Sequence, residues 1–107
     1  MTITSCKTNN RVNPVGDMMG KITLSWVIED SISKKQVAAQ IKVATDQEMK
    51  FLVYYTGKDP DILSQSVEIP MEPEPATRYY WTVRVWGDAG DVCESSINWF
   101  ETDGMDG

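Results

Sequence analysis

The stretch Arg78-Tyr79-Tyr80-Trp81-Thr82-Val83-Arg84-Val85-Trp86 limits what this chain can become more than any other. Tyr79, Trp81, Val83 and Val85 alternate with Tyr80, Thr82, Arg84 and Trp86. A period of two puts each set on its own face of a strand, whereas a helix would scatter both sets around its circumference. Most of these residues are aromatic or β-branched, types that fit a pleated surface and lose rotamer freedom in a helix. At about 3.3 Å per residue the run reaches about 30 Å, enough to cross a small domain. One face is largely apolar, so a second layer must cover it.

The same period recurs upstream. Ile22-Thr23-Leu24-Ser25-Trp26-Val27-Ile28 turns Ile22, Leu24, Trp26 and Ile28 one way, and Asp30-Ser31 with Ser33-Lys34-Lys35 supplies a polar connection. Val37 to Thr45 repeats the pattern, with Val37, Ala39, Ile41 and Val43 on one face and Ala38, Gln40 and Lys42 on the other. Its alanines suit a helix, but β-branched Val37, Ile41, Val43 and Thr45 and the tighter alternation favour a strand. Phe51 to Thr56 is expected to form an edge strand that stops at Gly57-Lys58-Asp59-Pro60-Asp61. Ser64 to Ile69 reads as a short strand ended by Pro70, after which Pro73 and Pro75 hold Met71 to Ala76 as a rigid crossover loop. Gly87-Asp88-Ala89-Gly90-Asp91 reads as a turn, and Val92 to Thr102 as a last strand interrupted near Ser95-Ser96. A weaker strand around Ile3 to Lys7 brings the count to about seven, at the spacing of a β-sandwich. Asn13-Pro14-Val15-Gly16 is expected to be a structural loop, and Gln36 and Gln40 to satisfy loop carbonyls rather than a ligand.

Composition then narrows function. The chain has 107 residues, 16 acidic against 10 basic side chains, a net charge of −6 and no histidine. One domain is expected, large enough to fold without staples. The acidic balance opposes a phosphate backbone, so nucleic acid is not an expected partner. No run approaches the ~20 apolar residues of a membrane span, and Met1-Thr2-Ile3-Thr4 has neither half of a signal peptide; no membrane partner is expected. Without imidazole, triads and most metal sites are excluded, leaving carboxylates and thiols. Cys6 and Cys93 lack C-x-x-C spacing and read as isolated buried thiols, with a bridge as the alternative should the first and last strands be neighbours; the compartment stays open.

Tyr79 follows a Pro-x-Thr-x approach just inside the longest strand, where immunoglobulin-like sandwiches tie down a crossover loop through a tyrosine hydroxyl; Trp26 is expected to fill the space between sheets. Trp26 together with Pro75-Ala76-Thr77-Arg78-Tyr79, Val83 and Val85 resembles the pattern of fibronectin type III domains. A closer likeness runs through Asn13-Pro14-Val15-Gly16, Leu24-Ser25-Trp26, Gln36 to Ala44, Gln65-Ser66-Val67, Arg78 to Trp86 and Trp99-Phe100-Glu101-Thr102. In that order, over about residues 13 to 104, these segments resemble the N-terminal fibronectin type III-like domain of bacterial α-L-rhamnosidases of glycoside hydrolase family 78. Where that family usually has an aromatic this chain has Ala39, so Phe51 or Tyr55 is expected to fill the gap. The family's Trp-Asp-Ser-Gly-like segment appears only as Val53-Tyr54-Tyr55-Thr56-Gly57.

The resemblance implies an all-β, immunoglobulin-like or fibronectin type III sandwich: a single domain with a core over about 3–102, and 103–107 as a frayed tail or the start of a linker to a missing domain. It also implies that hydrolysis is done elsewhere in a parent protein, in an (α/α)₆ barrel far downstream. The acids here support that separation: Asp88 and Asp91 flank Gly90, Asp59 and Asp61 flank Pro60, and Glu72 and Glu74 lie among prolines, all places that turns favour acids anyway. No catalytic residue, metal ligand or cofactor is expected. Trp26, Tyr79 and Trp81 are assigned to structure, and Arg84 to a cation–π rung between Tyr80 and Trp86. Tyr80, Arg84 and Trp86, with Trp99 or Tyr54 as further candidates, mark the expected contact surface, either for other domains of the parent polypeptide or for carbohydrate. The expected function is a non-catalytic docking module of a rhamnosidase-like glycoside hydrolase; the alternatives are a carbohydrate-binding module and a cell-surface adhesion domain.

Overall fold

The alternating segments become strands facing one another in two sheets. In this computed structural model, which describes residues 1–17 and 21–103, the elements are β1 (Thr2–Thr8), β2 (Val15–Asp17), β3 (Ile22–Glu29), β4 (Gln36–Ala44), β5 (Leu52–Tyr55), β6 (Ser66–Ile69), β7 (Arg78–Gly87), β8 (Val92–Glu94) and β9 (Asn98–Thr102). The smaller sheet runs β1-β3-β6 and the larger β2-β9-β7-β4-β5, with β8 also paired to β7. Every pairing is antiparallel except β2 with β9. The fold is the expected immunoglobulin-like sandwich. Its nine described strands exceed the expected seven because the last strand divides at Ser95-Ser96 and because the end of the expected Asn13-Pro14-Val15-Gly16 loop continues into a short strand, Val15–Asp17, along β9. A three-residue strand has no alternation to read.

The core forms where the inward sets meet. Ile22, Leu24 and Trp26 of β3 oppose Ala39, Ile41 and Val43 of β4 and Tyr79, Trp81, Val83 and Val85 of β7, all buried. Burial of each large side chain contributes about 1.5–3 kcal/mol, so this interleaving is the main source of stability. The Tyr79 and Phe100 rings stack with centroids 5.3 Å apart, and the Tyr79 hydroxyl accepts the Glu74 backbone N–H at 2.7 Å, tying down the proline-rich crossover as expected.

Three local departures correct the alternation. A bulge between Gln36 and Ala38 of β4 makes Gln36 buried and leaves Val37 only half-buried. In β1 the ladder slips between Thr4 and Lys7, with Ser5 at a φ of +50°. The extra residue re-aims the strand, so Cys6 and Thr8 point inward and Lys7 stays in water. Thirdly, Phe51 and Tyr55 do not fill the space beside Ala39; they are 69% and 54% exposed. Tyr54 pairs with inward-facing Val43, which sends Tyr55 out opposite Lys42. The segment bridged to Ala39 through Asp59 instead brings Ile62 to the core.

Polar atoms in the interior are matched. The Trp26 indole N–H donates to Gln36 Oε1 (3.2 Å), and Gln36 Nε2 donates to the carbonyls of Ile62 (2.7 Å) and Ser64 (2.9 Å). The Trp81 indole donates to Thr8 Oγ1 at 3.2 Å, joining the two sheets. Among the described residues no buried side-chain nitrogen or oxygen lacks a partner. Both cysteines are free: Cys6 is buried, with its thiol pushed up by burial, whereas Cys93 is half-buried rather than fully enclosed. The tail expected to fray lies, beyond Asp103, outside the described residues.

Candidate functional site

The larger sheet places Tyr80, Arg84 and Trp86 on its outer face, because inward Tyr79, Trp81, Val83 and Val85 fix the opposite phase. Tyr80 lies opposite Trp99 of β9 on one side and Ala44 of β4 on the other, and Ala44 in turn faces Leu52 of β5. An apolar row thus crosses four strands at one end of the sheet. A shallow hollow of about 320 Å³ opens beside it, lined by Gln47, Tyr80, Ile97 and Trp99. Trp86 lies further along, opposite Ala38 and Val92. Tyr54 does not join this surface, since its side chain packs against the core.

Cations cover the outward rings. The Arg78 guanidinium lies 4.1 Å from the Trp99 ring centroid while its Nε donates to Glu101 Oε1 at 3.0 Å. Lys58 Nζ stands 5.0 Å from the Trp86 centroid, and Lys42 Nζ 5.8 Å from that of Tyr55. Arg84 does not form the expected rung with Tyr80 and Trp86; its Nε pairs with Glu94 Oε1 at 3.2 Å across the β7–β8 ladder. Side chains two apart on one strand stand about 6.6 Å from each other, whereas a directly opposed cross-strand partner is closer. The sequence reading therefore missed Arg78 and Lys58. The directly opposed pair Arg78 and Glu101 follows once β7 and β9 are known to be neighbours, but nothing local marks Lys58, which arrives from the loop after β5.

The turn carboxylates serve their own loops. Asp91 accepts the Ser31 hydroxyl at 2.8 Å and the hydroxyl of Ser33, while Asp88 Oδ1 accepts the Lys34 backbone N–H at 2.9 Å. These contacts staple the β7–β8 turn to the β3–β4 loop. The hydrogen bond from Ser33, helped by Ser31 and the Ile32 N–H, holds the Asp91 carboxyl below the usual carboxylate range. Asp46 is lowered likewise, chiefly by the Phe51 N–H. Glycoside hydrolysis needs two carboxyl groups roughly 5 to 9.5 Å apart across a sugar, one with a raised pKa. The carboxylates that depart from their ordinary value here move the other way.

A family model described as the Rha78A-like, N-terminal immunoglobulin domain matches residues 3–106. Among solved structures, an α-L-rhamnosidase from Dictyoglumus thermophilum superposes with a TM-score of 0.87 at 28% identity, covering 98% of this chain and 13% of that one. The α-L-rhamnosidase of Streptomyces avermitilis, solved with L-rhamnose, gives 0.82 at 30% identity over 95% of this chain and 10% of its own. The chain therefore spans a small fraction of either protein. No curated protein matches it.

Proposed function

Because the chain belongs to the Rha78A-like, N-terminal immunoglobulin-domain family, we propose that it is a single, non-catalytic accessory domain of a larger α-L-rhamnosidase-like glycoside hydrolase, which docks against and positions other domains of that polypeptide. Sugar hydrolysis in this reading belongs to the rest of the parent. The observation that carries it is the covering of the outward indoles. A sugar ring stacks on a free aromatic face, but Arg78 already lies over Trp99 and Lys58 over Trp86. Rings braced in this way suit contact with a neighbouring protein surface better than stacking on a pyranose. Tyr80, Arg84 and Trp86 remain the proposed contact residues, with Trp26, Tyr79 and Trp81 as the buried supports beneath.

A second reading, carbohydrate binding, draws on the hollow beside Tyr80 and its polar neighbour Gln47. Titration of the purified chain with rhamnose-containing oligosaccharides, followed by tryptophan fluorescence and by release of free rhamnose, separates the two. Docking predicts neither a saturable signal at millimolar sugar nor any hydrolysis. Saturable quenching would establish the sugar-binding module, and released rhamnose would overturn the non-catalytic reading. An adhesion domain in an unrelated protein is tested by the open reading frame, which on the docking reading encodes a hydrolase-sized continuation.

A further inference from the structure

The two outer faces of the sandwich differ in chemistry. On the smaller sheet the outward positions are hydroxyls and charges, among them Thr4, Thr23, Ser25, Glu29 and Glu68, and Val27 is the apolar exception. The larger sheet instead carries the row Leu52, Tyr80 and Trp99, closed over a buried Ala44, with Ile97 at its end; Leu52 and Ile97 are 41% and 47% exposed, and Tyr80 and Trp99 are half-buried. Its charge also runs against that of the molecule. Among its described outward strand positions Lys42, Arg78 and Arg84 outnumber Glu94 and Glu101, and Lys58 reaches the same face from the loop after β5, whereas the chain as a whole holds 16 acidic and 10 basic residues. Apolar area ringed by cations on an acidic protein is complementary to apolar area ringed by carboxylates.

We infer that the outer face of the larger sheet, centred on Tyr80 and Trp99, is the docking face, and that its occupant is a neighbouring protein domain of the parent that presents carboxylates around aliphatic side chains. This rests on the docking reading above and adds to it which face is covered and by what chemistry. Arg78 is ordered in advance by Trp99 and Glu101, and Lys58 and Lys42 by the rings they overlie, so little side-chain freedom is left to lose on association. The Arg78 guanidinium has five N–H donors, and its pairing with Glu101 runs through Nε, so a facing carboxylate can share it.

Hydroxyl-radical footprinting of the 107-residue chain alone and of the full parent polypeptide tests the assignment. Tyr80, Trp86 and Trp99 are expected to oxidise several-fold more slowly in the parent, with Val27 unchanged. The paired changes Arg78→Gln and Arg84→Gln, on exposed side chains, remove the two cations without setting like charges against Glu101 and Glu94; they are expected to lower the melting temperature of the isolated chain only slightly and to weaken that protection severalfold in the parent. Protection confined to the smaller sheet would overturn this inference while leaving docking intact. Absence of protection on any face would overturn both. Protection of Trp99 in the isolated chain on addition of rhamnose oligosaccharide would replace the protein partner with sugar.

Discussion

Gln36 occupies a position in the sheet core that an apolar side chain would fill at no polar cost, and three hydrogen bonds make the amide tolerable there. Its carbonyl holds the Trp26 indole N–H, and its amino group gathers two carbonyls from the loop before β6. Truncation leaves these groups without partners in a dry site. Gln36→Ala is therefore expected to cost about 2 kcal/mol, seen as a fall in melting temperature of roughly 8 to 16 °C for a domain of this size. Gln40→Ala removes only an exposed 3.3 Å contact with the Tyr55 hydroxyl and should change stability by less than about 0.5 kcal/mol. The sequence marked Gln36 as a residue that satisfies a loop carbonyl, because an amide at the mouth of an apolar strand needs a partner. That it also fixes Trp26 was not legible, since that bond depends on two strands in different sheets.

The elements legible from alternation were the ones without a slip. β3 and β7 keep a strict period of two, and their inward sets are the core. β1 hid its phase. Read as a regular strand, Ile3, Ser5 and Lys7 would share the inner face, which would bury a lysine. The bulge at Ser5 avoids this by spending one residue outside the ladder. Thr4 pairs with Val27 and Lys7 with Ser25, so Ser5 and Cys6 together stand against the single residue Trp26. A chain with Ser5 deleted would pair Cys6 with Trp26 directly and keep Ile3, Cys6 and Thr8 inward. We expect this deletion to be tolerated, with a change in stability within about 1 kcal/mol by thermal melting, because loss of a positive-φ residue offsets any loss of contact. Substitution of Ser5 by valine, which resists that φ, should destabilise the chain by more than the deletion does. β5 misled for a related reason: an edge strand with a register shift carries aromatic residues on both sides, and pairing alone decides that Tyr54 goes in and Tyr55 out.

For the molecule as a whole, acid should be the weak side. Asp46 and Asp91 have folded-state pKa values below their ordinary ones, so their contribution to stability is complete above the ordinary carboxylate value and is lost as pH falls through the lowered values. Melting temperature is thus expected to be nearly flat from roughly pH 5 to 8 as far as these groups are concerned and to drop below about pH 4. Asp91→Asn should lower the neutral-pH melting temperature and make the acid limb shallower; an unchanged limb would show that the staple does not contribute. The candidate surface was legible in part, because alternation on β7 assigned Tyr80, Arg84 and Trp86 to an outer face. Its cations were not, since Lys58 and Arg78 reach their rings through tertiary pairing. Nor was β2, whose alignment with β9 has a mechanical meaning. Val15–Asp17 and Asn98–Thr102 run side by side in the same direction. Tension applied at Asn13 and at Asp103 drags the two strands lengthwise past each other, so their hydrogen bonds share the load in shear instead of opening one after another like a zip.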